Sequence, residues 1–275
     1  MTSPQDRVQL LKSQSARLND YLSALTADDW SHPTACAAWQ VRDVVTHMTI
    51  GGEAFAGNIA RGLAGDSSPP EGMPPPASFD LAARMVANAR GAISNRERLG
   101  EQLQTTFGAS CDALDNLLAG IGSQDWDQPC FHPAAIIPVR TYVDLRLAEI
   151  MVHEWDIRSK FEGSVLLPEE CLPAMVDVIE AFVVGVLFNP GSKLKTPVRY
   201  RFELTGAVTS KHDIVVGDGK ARMQPAGTAA PDVTFRCGAE TFVLLAYERL
   251  TFAAARADGQ IVVEGDRGLA DQFAD

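Results

Sequence analysis

"LAEIMVHEW", residues 147–155, decides how the first half of the chain is read. Leu147, Ile150, Met151 and Val152 recur at helical spacing, so the stretch is a helix and not a strand. Glu149 and His153 stand four positions apart, which puts them one above the other on a single helix face. Their angular neighbours Leu145, Val152 and Ile157 are apolar, so that face points partly inward. An unpaired carboxylate there costs roughly 3–5 kcal/mol. A hydrogen bond to a protonated imidazole, a buried arginine or a metal ion could each offset it.

Working outward, helical period dominates everything before this stretch. Ser3, Pro4 and Asp6 are spaced as a capped helix start with a capping box. Val8, Leu10, Leu11, Leu18, Tyr21, Leu22 and Leu25 continue that helix as an apolar stripe. A second helix is expected from Gln40 to Gly62, with Val41, Val44, Val45, Met48 and Phe55 inward and a bend at Gly51-Gly52. "GDSSPPEGMPPPASF" (65–79) holds five prolines, which exclude regular structure and make it a surface loop, a candidate lid. Residues 79–121 read as one long or two shorter helices, and Pro138 opens a last one that runs to about Phe161. Four main helices with a long connection after the second describe a bundle.

The pattern changes past Pro190. "VRYRFELTG" (198–206) alternates, placing Val198, Tyr200, Phe202 and Leu204 on one face of a strand. "HDIVVGDGKARMQPAG" reads as two strands across a Gly-Asp-Gly turn. Short strand and helix patterns follow to the end. The expected fold class is therefore α+β. A helix bundle occupies 1–165, a connecting helix (about 169–188) and linker occupy 166–195, and a small α+β domain occupies 196–275.

Composition narrows the function. The 275 residues carry a net charge of −11 and no basic run, which argues against nucleic acid or an anionic membrane as partner. The longest apolar run, Ala181–Phe188, is too short to span a bilayer. No secretion signal opens the chain, and five scattered cysteines without a C-x-x-C pair point to reduced thiols in the cytoplasm.

"AAWQVRDVVTHM" adds His47 on the inner face of the second helix. His47, Glu149 and His153 together would make a three-ligand divalent site with one position open, the arrangement of catalytic zinc. The residues alone leave room for the blander reading, a core histidine and a helix-surface Glu–His hydrogen bond. Asp43 is either a partner that orients His47 or an acid favouring the helix N-terminus. Trp39 and Trp155 neighbour the candidate ligands and could shape a pocket, and Cys36 lies close by in sequence. His32, His132 and His212 read as loop or solvent-facing residues. No nucleophile triad, phosphate loop or H-E-x-x-H pattern is present.

Two stretches carry a resemblance. "TACAAWQVRDVVTHM" (34–48) is similar to the GW-x-x-R-D-x-x-x-H segment of the mycothiol-dependent maleylpyruvate isomerase family, within the DinB-like four-helix metalloproteins. "RLAEIMVHEWDI" (146–157) resembles that family's E-x-x-x-H followed by Trp-Asp, and residues 232–266 resemble its sterol-carrier-like C-terminal domain. Ala38 departs from the family's glycine before the tryptophan. The resemblance implies zinc, or another divalent metal such as nickel, on His47, Glu149 and His153. It implies mycothiol, the actinobacterial thiol, as cofactor, with Trp39 and Trp155 beside it and Arg249 as a clamp for substrate anions. The implied activity is cis–trans isomerisation by thiol addition and elimination, or S-transfer to a small molecule. The alternative is a non-catalytic binder of a lipid or other small ligand.

Overall fold

The computed structural model describes residues 3–186 and 197–274 and divides into two compact units, Met1–Val165 and Leu166–Asp275. The expected end of the connecting helix at 188 and the linker after it lie outside the described residues.

The first unit is helical. α1 (Pro4–Ser23) starts as its sequence dictates: Ser3 Oγ accepts from the Asp6 amide, and Asp6 accepts from the Ser3 amide. α2 (Val41–Leu63) opens with the Gln40 amide donating to Asp43 Oδ2. The 79–121 segment is two helices, α3 (Leu81–Leu99) and α4 (Leu103–Ala119). They are separated at Gly100, whose φ of 49° ends the first. α5 (Val139–Arg158) carries the opening stretch and is the most buried helix of the unit. The core lies among α1, α2, α4 and α5, where Leu18, Val44, Met48, Phe107, Tyr142 and Ile150 are fully enclosed. α3 packs outside them against α2 and buries only Ala92.

Two features differ from the sequence reading. Gly51-Gly52 does not interrupt α2, which runs continuously through both residues. Gly52 is needed for close packing instead, because a Cβ there would sit 2.8 Å from Arg146 Nη2. Residues before α5 form an antiparallel hairpin, β1 (Pro129–His132) with β2 (Ala135–Pro138). Its four-residue strands are too short for periodicity to reveal. The Pro-rich loop is irregular apart from a 3-10 turn at Pro76–Ser78.

The second unit is a five-stranded sheet with helices. Its strands are β3 (Val198–Thr205), β4 (Ser210–Gly217), β5 (Lys220–Pro225), β6 (Val233–Gly238) and β7 (Ile261–Gly265). Their order is β5-β4-β3-β6-β7, with β3 and β6 parallel and every other pair antiparallel. The alternation read from 198–206 is real: Val198, Tyr200, Phe202 and Leu204 are buried and the residues between them are not. Asp218 and Gly219 take positive φ in the β4–β5 turn, as the Gly-Asp-Gly sequence requires. α6 (Leu172–Val178) continues through a π-helical turn (Ile179–Val183) into α7 (Val184–Val186), and this helical segment packs on β5. α8 (Ala239–Ala246), α9 (Phe252–Ala257) and α10 (Arg267–Ala274) complete the unit.

Candidate metal centre

α2 and α5 run antiparallel and face each other through matching rows of residues. His47, Gly51, Phe55 and Asn58 lie along one face of α2, and Tyr142, Arg146, Glu149 and His153 along one face of α5. At one end His47 Nε2 lies 3.3 Å from Glu149 Oε2, and His153 Nε2 lies 3.7 Å from the same oxygen. One donor atom from each of the three residues falls within 4.8 Å of the others. The two rings stand nearly perpendicular, 5.1 Å apart. His153 is nearly buried, whereas the Glu149 side chain is 36% exposed, so the trio reaches the surface of its unit. Burial pushes the Glu149 carboxyl up, but the His47 hydrogen bond and the charges of His153, His47 and Arg146 outweigh it and hold it well below the usual range.

Behind the trio stands a carboxylate that sequence reading did not assign. Asp156 is fully buried, and its Oδ2 lies 2.9 Å from His153 Nδ1. That contact puts a proton on Nδ1 and leaves the Nε2 lone pair facing Glu149 and His47. The available signal was the i, i+3 spacing of His153 and Asp156 on one helix. Cys36 joins the same group, its Sγ 3.0 Å from Asp156 Oδ2 and 3.9 Å from His153 Nδ1. A tight loop brings it there: Pro33 bridges Gln40, Thr34 N donates to the Trp39 carbonyl, and Ala35 N donates to the Asp156 carbonyl.

The other expected residues divide. Trp39 packs beside the trio, with its tilted ring 5.2 Å from His47 and 6.3 Å from His153. Trp155 points elsewhere, its indole donating to the Val165 carbonyl at 3.1 Å. Asp43 does not orient His47: it caps α2 and pairs with Arg96 at 3.1 Å. Arg249 belongs to the second unit, where its guanidinium donates to the Tyr247 carbonyl at 2.6 Å.

Two histidines are more enclosed than expected. His132 packs against Tyr142 and Phe55, and burial lowers its pKa to about 4, with Arg84 contributing in the same direction. His212 lies in β4 and not in a turn. Its Nδ1 is 2.5 Å from Glu180 Oε2 in the π-helical turn, and its Nε2 is 2.8 Å from Ser210 Oγ. This chain ties the helical segment to the sheet.

A four-helix core that presents two imidazoles and a carboxylate, followed by a mixed-sheet α+β unit, defines a class of two-part proteins with a candidate metal-ligand set in the bundle. A family model for the mycothiol maleylpyruvate isomerase N-terminal domain matches residues 11–158, and one for the SCP-2 sterol transfer family matches residues 193–275. The chain belongs to the mycothiol maleylpyruvate isomerase family. Among solved structures it is similar to the mycothiol-dependent maleylpyruvate isomerase, at 14% identity and a TM-score of 0.58, covering 96% of this chain and 93% of that one. A mutant of that enzyme aligns equally well, at 13% identity and a TM-score of 0.58 over 96% and 93% of the two chains. No curated protein matches the chain.

Proposed function

We propose that His47, Glu149 and His153 hold a divalent metal, zinc or a relative such as nickel, and that the protein uses it to activate a low-molecular-weight thiol, mycothiol. The convergence of three donor atoms from two helices, with Asp156 fixing the His153 tautomer, carries this reading. The donor chemistry fits: two imidazole nitrogens and one carboxylate oxygen suit zinc and leave a coordination position open. When bound, such an ion lowers the pKa of a coordinated thiol and so supplies a thiolate at neutral pH. Glu149 stays ionised and ready to bind because its neighbours favour the carboxylate. His153 stays aimed because Asp156 accepts a hydrogen bond from its Nδ1–H. Trp39 walls one side of the trio.

The thiolate serves either cis–trans isomerisation by addition and elimination, which family membership favours, or S-transfer to a small molecule. Arg249 is proposed as a cation that pairs a substrate carboxylate. The test measures zinc content and mycothiol binding in wild type and His153→Ala. Loss of both together is expected, whereas thiol affinity that survives loss of the metal overturns the reading.

A second reading, binding of an apolar ligand with a polar end, is supported in the second unit by a cavity of about 220 Å³ lined by Phe235, Phe252, Val263 and Ala270 together with the Arg256–Asp271 ion pair. Uptake of a fluorescent fatty acid that competes for this cavity, and is lost in Phe252→Glu, would favour it.

A further inference from the structure

Within the second unit a hydroxyl, an imidazole and a carboxylate stand in series. Ser210 and His212 lie two apart on β4, so both side chains leave the same face of the sheet. Ser210 Oγ is 2.8 Å from His212 Nε2, and His212 Nδ1 is 2.5 Å from Glu180 Oε2. An ionised carboxylate only accepts, so Nδ1 carries the ring proton. In the neutral ring Nε2 is then the acceptor, and the Ser210 hydroxyl donates to it. This is the order in which a serine nucleophile is activated: a base within hydrogen-bond reach of the hydroxyl, and an acid that orients the base.

The surroundings suit that task. Glu180 comes from the π-helical turn Ile179–Val183, a rare backbone geometry found frequently at functional sites. His212 is 9% exposed, with Phe202 and Pro225 opposite it on the two flanking strands. Such apolar neighbours strengthen the hydrogen bonds on both sides of the ring. Ser210 is only half-buried, between exposed Thr209 and Lys211, so its hydroxyl can be reached from solvent. Leu204 faces it across the ladder and gives the approach an apolar side. Just before it, the amides of Val208 and Thr209 donate to no backbone carbonyl among the described residues. N–H groups of that kind are the donors a developing oxyanion needs.

We propose that Ser210, His212 and Glu180 form a hydrolytic centre for carboxylic esters with an apolar acyl chain. Ser210 Oγ bonds to the acyl carbon while His212 Nε2 takes the hydroxyl proton. The bond from the acyl carbon to the alcohol oxygen then breaks, and the alcohol leaves with that proton. Water attacks the acyl-serine, His212 takes its proton and returns it to Ser210, and the carboxylic acid departs. Glu180 is a positioning residue that fixes the ring tautomer and offsets the charge the ring acquires. All three residues belong to the second unit, so the centre does not depend on the metal reading of the bundle. Sequence motifs miss it because the acid stands 32 residues before the base and the nucleophile lies on a plain strand.

The test is hydrolysis of p-nitrophenyl butyrate by the full chain, zinc-loaded and chelator-stripped, together with fluorophosphonate labelling mapped by mass spectrometry. Equal turnover in both metal states and an adduct on Ser210 are expected. Ser210→Ala keeps the His212–Glu180 bond, so it should unfold at the wild-type midpoint while losing both turnover and label. Glu180→Gln should lower kcat by about 100-fold and leave KM unchanged, a split that a purely structural role would not produce. Absence of an adduct on Ser210, or turnover that survives Ser210→Ala, overturns the centre. Turnover lost on chelation also overturns it and moves the hydrolysis to a metal. A wild-type kcat in Glu180→Gln overturns the relay.

Discussion

His153 Nδ1 lies 2.9 Å from the buried Oδ2 of Asp156, while its Nε2 faces Glu149 and His47. One ring thus joins a buried carboxylate on one side to the candidate ligand set on the other. The carboxylate acts on any bound metal only through the ring, by fixing its tautomer and raising its basicity. Asp156→Asn keeps the size of the side chain and all three ligands. It should lower zinc affinity by about 10–100-fold, measured by competition with a chelating dye. Unchanged affinity would reduce Asp156 to a packing residue.

Ala38 has a φ of 67°, in the left-handed region that costs a residue with a Cβ about 1–2 kcal/mol. It sits in the loop that presents Cys36 and Trp39 to the trio. Ala38→Gly relieves that strain, partly offset by the greater freedom of glycine in the unfolded chain. A net gain of about 0.5–1 kcal/mol is expected in urea unfolding. A loss of stability would mean that the loop is not strained at this residue.

His132 makes stability depend on pH. Burial, then Arg84, lowers its folded pKa from 6.5 to about 4. Between those values the unfolded chain binds a proton that the folded protein refuses, so stability falls as pH drops through 6.5 and levels off below 4. The effect is on the order of 2–3 kcal/mol. Urea midpoints at pH 7 and pH 4.5 should separate more in wild type than in His132→Gln. Equal separations would place the titration elsewhere.

The Glu180–His212–Ser210 chain joins the π-helical turn to β4. His212→Ala leaves a half-buried carboxylate without its donor, at a cost of about 1–3 kcal/mol. Loss of stability with unchanged zinc content is the expected result. A drop in zinc content would show that the two units are coupled.

Much of this molecule is written in local spacing. The Ser3–Asp6 capping box, the alternation of β3 and the shared face of Glu149 and His153 follow from geometry within a few residues, and each is present as the sequence dictates. Other features depend on distant partners, which periodicity does not encode. His47 meets the α5 pair only because α2 packs antiparallel to α5. Asp43 binds Arg96 and not His47 because α3 lies against the start of α2. The surroundings of His132 and His212 come from residues far along the chain. So does the enclosure of Arg146, whose Nη atoms find no hydrogen-bond partner among the helices that close around it.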